Sequence, residues 1–407
     1  MAIRKWFEHR YEPDGCATNK GESMHKKKLE SDKSQKVAIT SMVRNPGPLL
    51  RPYIEYHLAI GFDYLFLFFD DPNDPSIEEA QKYNNVMIVK NDMELQRKWK
   101  DKEIYTQIGS LTDTEMMARQ VLNVEVALDL ARLKNFDWLL HIDVDELFYS
   151  PTYSVKDHFQ RLAAKGVHQC LYVNYEAIPE AVDIYNPFEE VTLFKVNPFV
   201  LPNKTLNEKQ KQLINLSPHL MPKRLFFYHR DTKPAVRLEE GIRTRGPHKY
   251  NLPADSGLWA RLLRRVSNTR PVRLMTKALP KVFTFINRMA SGERTIVSKD
   301  PIILHYPVCG FQQFWDKYVT WGDFPITVWG GKSNWIEVAG SFHIESRDVV
   351  KQGGRNLARE FYERRYVMID KEEIRRLSEA GLVCRIEGPM NLLVNIANET
   401  NSHQLTT

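Results

Sequence analysis

An α/β fold with a mostly parallel central sheet flanked by helices is predicted from three observations on the 407-residue chain. Short continuous apolar runs recur at Val37–Val43, Tyr64–Phe69, Val86–Val89 and Trp138–Ile142, with stretches of helical period between them. Runs without polar alternation are what strands covered on both faces look like, and strand–helix–strand repetition calls for parallel pairing. Polar clusters follow three of the runs, namely Arg44-Asn45, Asp70-Asp71 and Asp143/Asp145. Parallel sheets bind ligands at the carboxyl ends of their strands, so one site built from all three is the economical reading. With 43% hydrophobic and 27% charged residues, the composition is that of a globular protein, which excludes a disordered, collagen-like or coiled-coil chain.

Taken in order, residues 1–36 are polar and aperiodic and read as a flexible tail. The strand Val37–Val43 is broken by Asn45-Pro-Gly-Pro48. Leu49, Tyr53, Tyr56, His57 and Ile60 then recur at helical spacing until Gly61 stops them. Tyr64–Phe69 is a buried strand, Ile77–Tyr83 a short helix, Val86–Val89 a strand and Glu115–Lys134 a long helix leading into the run Trp138–Tyr149. Gln169–Val173, Val191–Val196 and Leu225–Tyr228 read as strands. An irregular or helical insertion occupies about 252–297. Ile302–Tyr306 is a further strand, followed by a helix bearing Phe311, Phe314, Trp315 and Tyr318 and by amphipathic helices Ser346–Val367 and Lys371–Ala380. The chain therefore divides into the tail 1–36, a main domain 37–325 and a helical C-terminal extension 326–407 with a frayed end.

Four cysteines lie far apart without a Cys-x-x-Cys pair, which fits a reducing compartment better than a disulfide framework. No apolar run approaches the ~18–20 residues of a spanning helix, and the start lacks the apolar core of a signal peptide. A cytoplasmic protein, at most peripheral on a membrane, is expected. The net charge of +6 is unevenly placed: Lys223–Lys299 holds 18 Lys/Arg against five Asp/Glu, so the remainder is acidic. Such a block points to an anionic ligand or a lipid surface. Nucleic acid is the weaker partner, since the aromatics near Leu225–Tyr228 sit in an apolar strand pattern and are not exposed for stacking.

The strongest chemical signal is His141-Ile-Asp-Val-Asp-Glu146. On a strand, His141, Asp143 and Asp145 would share one face, placing two carboxylates ~7 Å apart where Mn2+ or Mg2+ can bind with phosphate oxygens. His305, closing Ile302-Ile-Leu-His-Tyr306, is a candidate further ligand. The cluster Lys223-Arg224, His229-Arg230, Lys233, Arg237, Arg243, Arg245 and His248-Lys249 would neutralise a leaving diphosphate. No Gly-rich phosphate loop is present: Gly330-Gly-Lys-Ser333 imitates the end of one, but Ile326 stands where its first glycine belongs. Carboxylates for a metal together with downstream cations suit transfer from a nucleoside-diphosphate-activated group.

In the same order, Val37-Ala-Ile-Thr-Ser-Met-Val-Arg-Asn45, Tyr53–Gly61, Tyr64–Asp71, Arg119-Gln120, Asn123, Asp137–Phe148 and Ile303-Leu-His-Tyr306 resemble glycosyltransferase family 92 and its family-2-like relatives. Lys233-Pro-Ala-Val-Arg237 with His248 is similar to that family's Lys-x-x-x-Arg…His element. The resemblance implies a GT-A fold, a nucleotide-sugar donor, a glycan or glycoconjugate acceptor and a manganese-type cofactor, with transfer inverting the anomeric centre. It makes Asp143, Asp145 and His305 the metal site. Asp70 or Asp71, with Arg44 and Asn45, would contact the nucleoside, and Arg119 and Gln120 would face the donor. Lys233 and Arg237 are expected to act in catalysis and His248 in substrate binding. Glu176 is the candidate base, ahead of Glu239 and Glu240. Two other readings are a haloacid-dehalogenase-like phosphohydrolase with Asp143 as nucleophile and a non-catalytic basic anion-binding protein.

Overall fold

The computed structural model describes residues 34–197, 200–201, 206–217, 232–252, 295–331, 333–334 and 342–404. The strand expected at Leu225–Tyr228, nearly all of the tail and most of the insertion at 252–297 lie outside these residues. Among the described residues no helix is long and apolar enough to cross a membrane.

The first four apolar runs form β1 (Val37–Val43), β2 (Tyr64–Phe69), β3 (Val86–Lys90) and β4 (Trp138–His141), all parallel, in the order β3-β2-β1-β4. Their side chains alternate between two cores. Leu65, Leu67 and Phe69 of β2, with Val37, Ile39, Trp138 and Leu140, pack against helix α1 (Leu50–Ala59). Phe66 and Phe68, with Ala38 and Leu139, pack on α2 (Met93–Lys100) and α3 (Met116–Leu133). Burial on both faces is why these strands carry no polar alternation. The chain winds one way from β1 to β3 and then crosses back to β4, so the switch point falls between the carboxyl ends of β1 and β4.

After β4 the sheet turns mixed. β5 (Glu146–Tyr149) leaves β4 behind, and β6 (Gln169–Ala177), reached through α4 (Val155–Ala164), is followed by β7 (Leu193–Lys195) and β8 (Lys233–Arg237). β8 lies antiparallel between β4 and β6, and β6 runs antiparallel to β7. A hairpin of β9 (Arg243–Gly246) and β10 (Lys249–Asn251) follows. The long β11 (Thr295–His305) runs parallel to β6 and antiparallel to β5. β12 (Thr327–Val328) and β13 (Ser333–Asn334) make a small separate pair, and β14 (Val383–Arg385) joins the central sheet beside β7. Parallel pairing is thus continuous over β1 to β4 and returns where β11 meets β6, while the other pairs of the central sheet are antiparallel. Parallel pairing needs a crossover connection, and helical crossovers supply it regularly only in that first half.

The C-terminal helices are α5 (Phe311–Trp321), α6 (Phe342–Tyr366), α7 (Lys371–Glu379) and α8 (Gly388–Gln404). α5 and α6 bury Phe311, Phe314 and Tyr318 against Val350, Ala358 and Tyr362. α5 starts at Gly310, whose φ is 127° and where a Cβ would lie 2.6 Å from the carbonyl oxygen of Ile184. Only glycine fits that approach.

α1 also fixes the point where β5 parts from β4. The Tyr56 hydroxyl donates to the carbonyl of Phe148 (3.0 Å), and the Phe148 N–H donates to His57 Nε2 (3.2 Å), while His57 Nδ1–H reaches the carbonyl of Tyr53 at 2.8 Å. His57 is buried and wholly paired as the neutral ring, and burial lowers its pKa to about 3. A histidine depressed in the folded state contributes stability above its unfolded value of ~6.5 and loses it as pH falls toward the folded one. His57→Phe, which orphans the Phe148 N–H, is expected to cost about 1–3 kcal/mol at pH 7.5. The gap to the parent should narrow at pH 5, because only the parent carries this acid-labile contribution. Urea unfolding at the two pH values measures both; a gap that widens on acidification would refute the assignment.

Candidate functional site

The polar clusters after β1, β2 and β4 converge as the sequence requires, but the local geometry at Asp143 and Asp145 differs from expectation. β4 ends at His141, and both aspartates occupy the turn that leads into β5. They do not alternate along a strand. The turn is held by the Glu146 carboxylate, which accepts the Asp143 N–H at 2.9 Å, and by the Glu146 N–H bonded to the Asp143 carbonyl at 3.1 Å. β4 pairs with β1 and β8 whereas β5 pairs with β11, so the turn bridges two parts of the sheet and sends its two acids to different neighbours.

Both side-chain oxygens of Asp143 have a partner. Lys233, at the start of β8, pairs with its Oδ2 and lies 3.0 Å from Glu146 Oε2. Gln120 Nε2 donates to its Oδ1 at 2.6 Å. Lys233 is only 2% exposed. Burial disfavours its charge, but Asp143 and Glu146 more than offset this and push its pKa up. Burial would likewise raise Asp143, and Lys233 reverses that, leaving it below its ordinary value. Glu146, wholly buried, is pushed up to about 7 by burial despite the same ammonium. Lys233, expected among the cations that meet a diphosphate, is therefore committed to the interior. Arg237, four residues on, pairs opposite Trp138 at the other end of β4 and lies 3.7 Å from Glu239. The structure does not bring Arg237 to the site, because one short strand puts the two residues at opposite edges of the sheet.

Asp145 has no direct hydrogen bond of this kind among the described residues, although its side chain is the less exposed of the two, at 23% against 32%. Its Oδ2 lies 3.7 Å from His305 Nε2 and 3.6 Å from the Lys317 ammonium, both beyond hydrogen-bonding distance. Burial would raise its pKa, yet His305 and Lys317 hold it well below the usual range. His305, at the end of β11, gives Nδ1 to both oxygens of Glu176 at 2.9 and 3.0 Å. Burial alone would lower its pKa; Glu176 and Asp145 outweigh that and lift it to about 10. Glu176 was the candidate base. It is buried on β6 with its carboxylate on His305, so it orients the imidazole and does not present a free base to an acceptor.

Asp70, at the end of β2, is gripped by Arg119 through Nε (2.6 Å) and Nη2 (2.9 Å), with Arg44 at 3.4 Å. Arg119 also donates to the carbonyl of Thr112 at 2.8 Å. Arg119 and Gln120 thus lie at the start of α3, one tied to Asp70 and the other to Asp143. Arg44, Asp70, Asp71 and Arg119 line a cleft of about 720 Å³, within the usual size of ligand sites. Asn45 is exposed and contributes its backbone N–H to Asp74 at 2.6 Å. His248 sits in the turn between β9 and β10. The preceding Pro247 carbonyl accepts the Nδ1–H of buried His141 (3.1 Å), whose pKa burial lowers to about 3. Lys223, Arg224, His229 and Arg230 lie outside the described residues.

Two participants carried no signal strong enough to name them. Glu146 was visible inside the motif but was given no role there. Lys317 lies twelve residues beyond His305 on α5, and only the fold brings it to Asp145. Among the described residues no cluster of three or more His, Cys, Asp or Glu forms a metal cage.

No family model matches the chain. It is 26% identical over 289 residues to the glycosyltransferase-like protein At2g41451 of Arabidopsis thaliana, a match covering 61% of this chain and 62% of that one. The glycosyltransferase-like protein At3g57200 of the same plant is 25% identical over 234 residues, covering 54% and 44% respectively. The match therefore spans less than two thirds of either relative. Among solved structures, core-mannan synthase A of Aspergillus fumigatus in its Mn/GDP form has a TM-score of 0.29 at 12% identity, covering 81% of this chain and 92% of that one. Mouse xyloside xylosyltransferase 1 has a TM-score of 0.28 at 9% identity, covering 67% and 97%.

Removing Lys233 leaves the buried Glu146 and the partly exposed Asp143 without their shared counter-charge. Lys233→Met is expected to cost about 3–5 kcal/mol, as for other broken buried pairs, and Glu146→Gln added to it should recover part of that loss. Urea unfolding of the single and double variants checks both; additive losses would refute the shared-charge reading.

Proposed function

We propose that this chain is a metal-dependent glycosyltransferase that moves a hexose from a nucleoside-diphosphate sugar to a hydroxyl of a glycan or glycoconjugate, with inversion at the anomeric carbon. The observation that carries the reading is the gathering of Asp70, Asp143, Asp145 and His305 at the carboxyl ends of β2, β4 and β11, with Asp70 also lining a cleft of about 720 Å³ past the ends of β1, β2 and β3. The two plant relatives, both named glycosyltransferase-like, support the class.

The residues fit a manganese or magnesium ion at one place. Asp145 Oδ2 and His305 Nε2 face each other at 3.7 Å, within the span of two ligands with bonds of about 2.1 Å to one ion. Glu176 on Nδ1 turns Nε2 toward Asp145, in the way a carboxylate orients a metal-binding imidazole. The set is oxygen and imidazole, which suits manganese. Such an ion would neutralise the diphosphate of the donor as the glycosyl bond breaks. Asp143, with both oxygens engaged, shapes the turn and keeps Asp145 in place. Lys317 stands next to Asp145 as the cation best placed for the departing phosphates, a part expected of Lys233. Arg44 and Asp71 face the nucleotide in the cleft. The basic stretch 223–299 supplies peripheral contact with an anionic membrane. A phosphohydrolase using Asp143 is disfavoured by the same geometry, since a nucleophile needs a free carboxylate oxygen.

Calorimetric titration with a panel of nucleoside diphosphates and nucleotide sugars, with and without Mn2+, tests the reading. Binding of at least one donor, strengthened by Mn2+, is expected. Asp145→Ala should abolish the strengthening, and Glu176→Gln should weaken Mn2+ binding by roughly 10- to 100-fold. Normal Mn2+ dependence in Asp145→Ala would remove the basis of the proposal.

A further inference from the structure

Beyond the acids, the same cleft has an aromatic wall. Tyr105 lines it, half-buried, in the short helical turn Tyr105–Ile108 that follows α2. A Cβ built on Gly109 would lie 2.7–2.8 Å from Cε1, Cζ and Cε2 of that ring. A point nearly equidistant from those three atoms sits over the face of the ring, so Tyr105 rests flat on the bare backbone of Gly109. Any larger residue would lift it.

The ring is also braced against the acidic wall. Gly109 is followed by a 3-10 turn, Gly109–Leu111, in which the Thr112 hydroxyl donates to the Gly109 carbonyl at 2.8 Å. The Thr112 carbonyl takes the Arg119 Nη1–H at 2.8 Å, and the same guanidinium holds Asp70 in a fork. One partly buried arginine therefore ties the Tyr105 segment to Asp70. A flat π-face set at a fixed distance from carboxylates is a pocket for a planar ring carrying hydroxyls, which is the chemistry of a nucleoside.

We propose that Tyr105, seated on Gly109, is the stacking surface for the nucleobase of the donor, and that Arg119 is the positioning residue that fixes its distance from Asp70. This rests on the nucleotide-sugar reading of the site and names its base-binding wall. Stacking tolerates every base, so Tyr105 sets affinity for a nucleotide over a bare diphosphate and leaves the choice among bases to other groups.

The test titrates uridine and guanosine diphosphates, and inorganic pyrophosphate as a probe without a base, into the parent protein, Tyr105→Leu, Tyr105→Phe and Gly109→Ala in the presence of Mn2+. Melting temperatures of each variant report folding. Tyr105→Leu is expected to lose roughly 5- to 150-fold in nucleotide affinity, the range for one stacked base, with pyrophosphate binding unchanged. Tyr105→Phe should keep nearly all of the affinity, and Gly109→Ala should weaken nucleotide binding without touching pyrophosphate. Equal nucleotide affinity in the parent and Tyr105→Leu overturns the inference and leaves the nucleotide-sugar reading standing. A parallel loss for nucleotide and pyrophosphate overturns it too, because the change would then be general. A parent that binds neither nucleotide overturns both.

Discussion

The site depends on one buried cation. Lys233 places an ammonium between Asp143 and Glu146 where the parallel half of the sheet meets the antiparallel half. Three charges taken from water are costly individually, and they persist because each is the partner of another. β8 must run antiparallel to β4 to bring Lys233, its first residue, to the carboxyl end of β4; a parallel β8 would have presented Arg237 there instead. Strand direction and site chemistry are thus one constraint. The same ammonium explains why the turn after β4 is so defined, since Glu146 can hold the Asp143 N–H only while its other contacts balance its burial.

A second set of ties runs from the start of α3. Glu115 accepts the N–H groups of Trp329 and Gly330 at 2.8 and 2.7 Å, Arg119 holds Asp70 and Thr112, and Gln120 holds Asp143. Six residues of one helix end therefore fasten the β2 end, the β4 turn and a distant C-terminal segment. α3 is itself buried along most of its length, with Ala118, Val121, Leu122 and Val124 among its packed residues. Its position is set by the core, and its polar first turns inherit that rigidity. Preorganisation here comes from anchoring side chains on a packed helix.

Much of this was legible beforehand, and the limits are physical. Unbroken apolar runs gave β1, β2 and β4, because strands covered on both faces tolerate no alternation. The acids after them could be assigned to one site because parallel strands present their carboxyl ends on one side. The roles of individual residues were not legible. Lys233 and Arg237 look alike in sequence, and only the register of β8 separates a buried counter-ion from a residue at the far edge of the sheet. Glu176 was named as the candidate base with nothing in the sequence to show its neighbour, and the parallel pairing of β11 with β6 sets His305 against it. The placing of Lys317 depends on packing between segments with no local pattern to announce it.

The two aspartates of the motif end beside different cations, and the turn makes that unavoidable. Had β4 continued as a strand through position 145, both side chains would have shared one face and one environment. Ending the strand at His141 lets β5 depart toward β11, which carries Asp145 to His305 while Asp143 stays with β8 and α3. Asp143 meets Gln120 at one oxygen and Lys233 at the other, with its side chain 32% exposed. Asp145 keeps an oxygen whose nearest cations stand off at 3.6 and 3.7 Å. A carboxylate held well below its ordinary pKa by cations it does not touch is charged, positioned and still able to accept. The different partners of the two acids follow from where one strand stops.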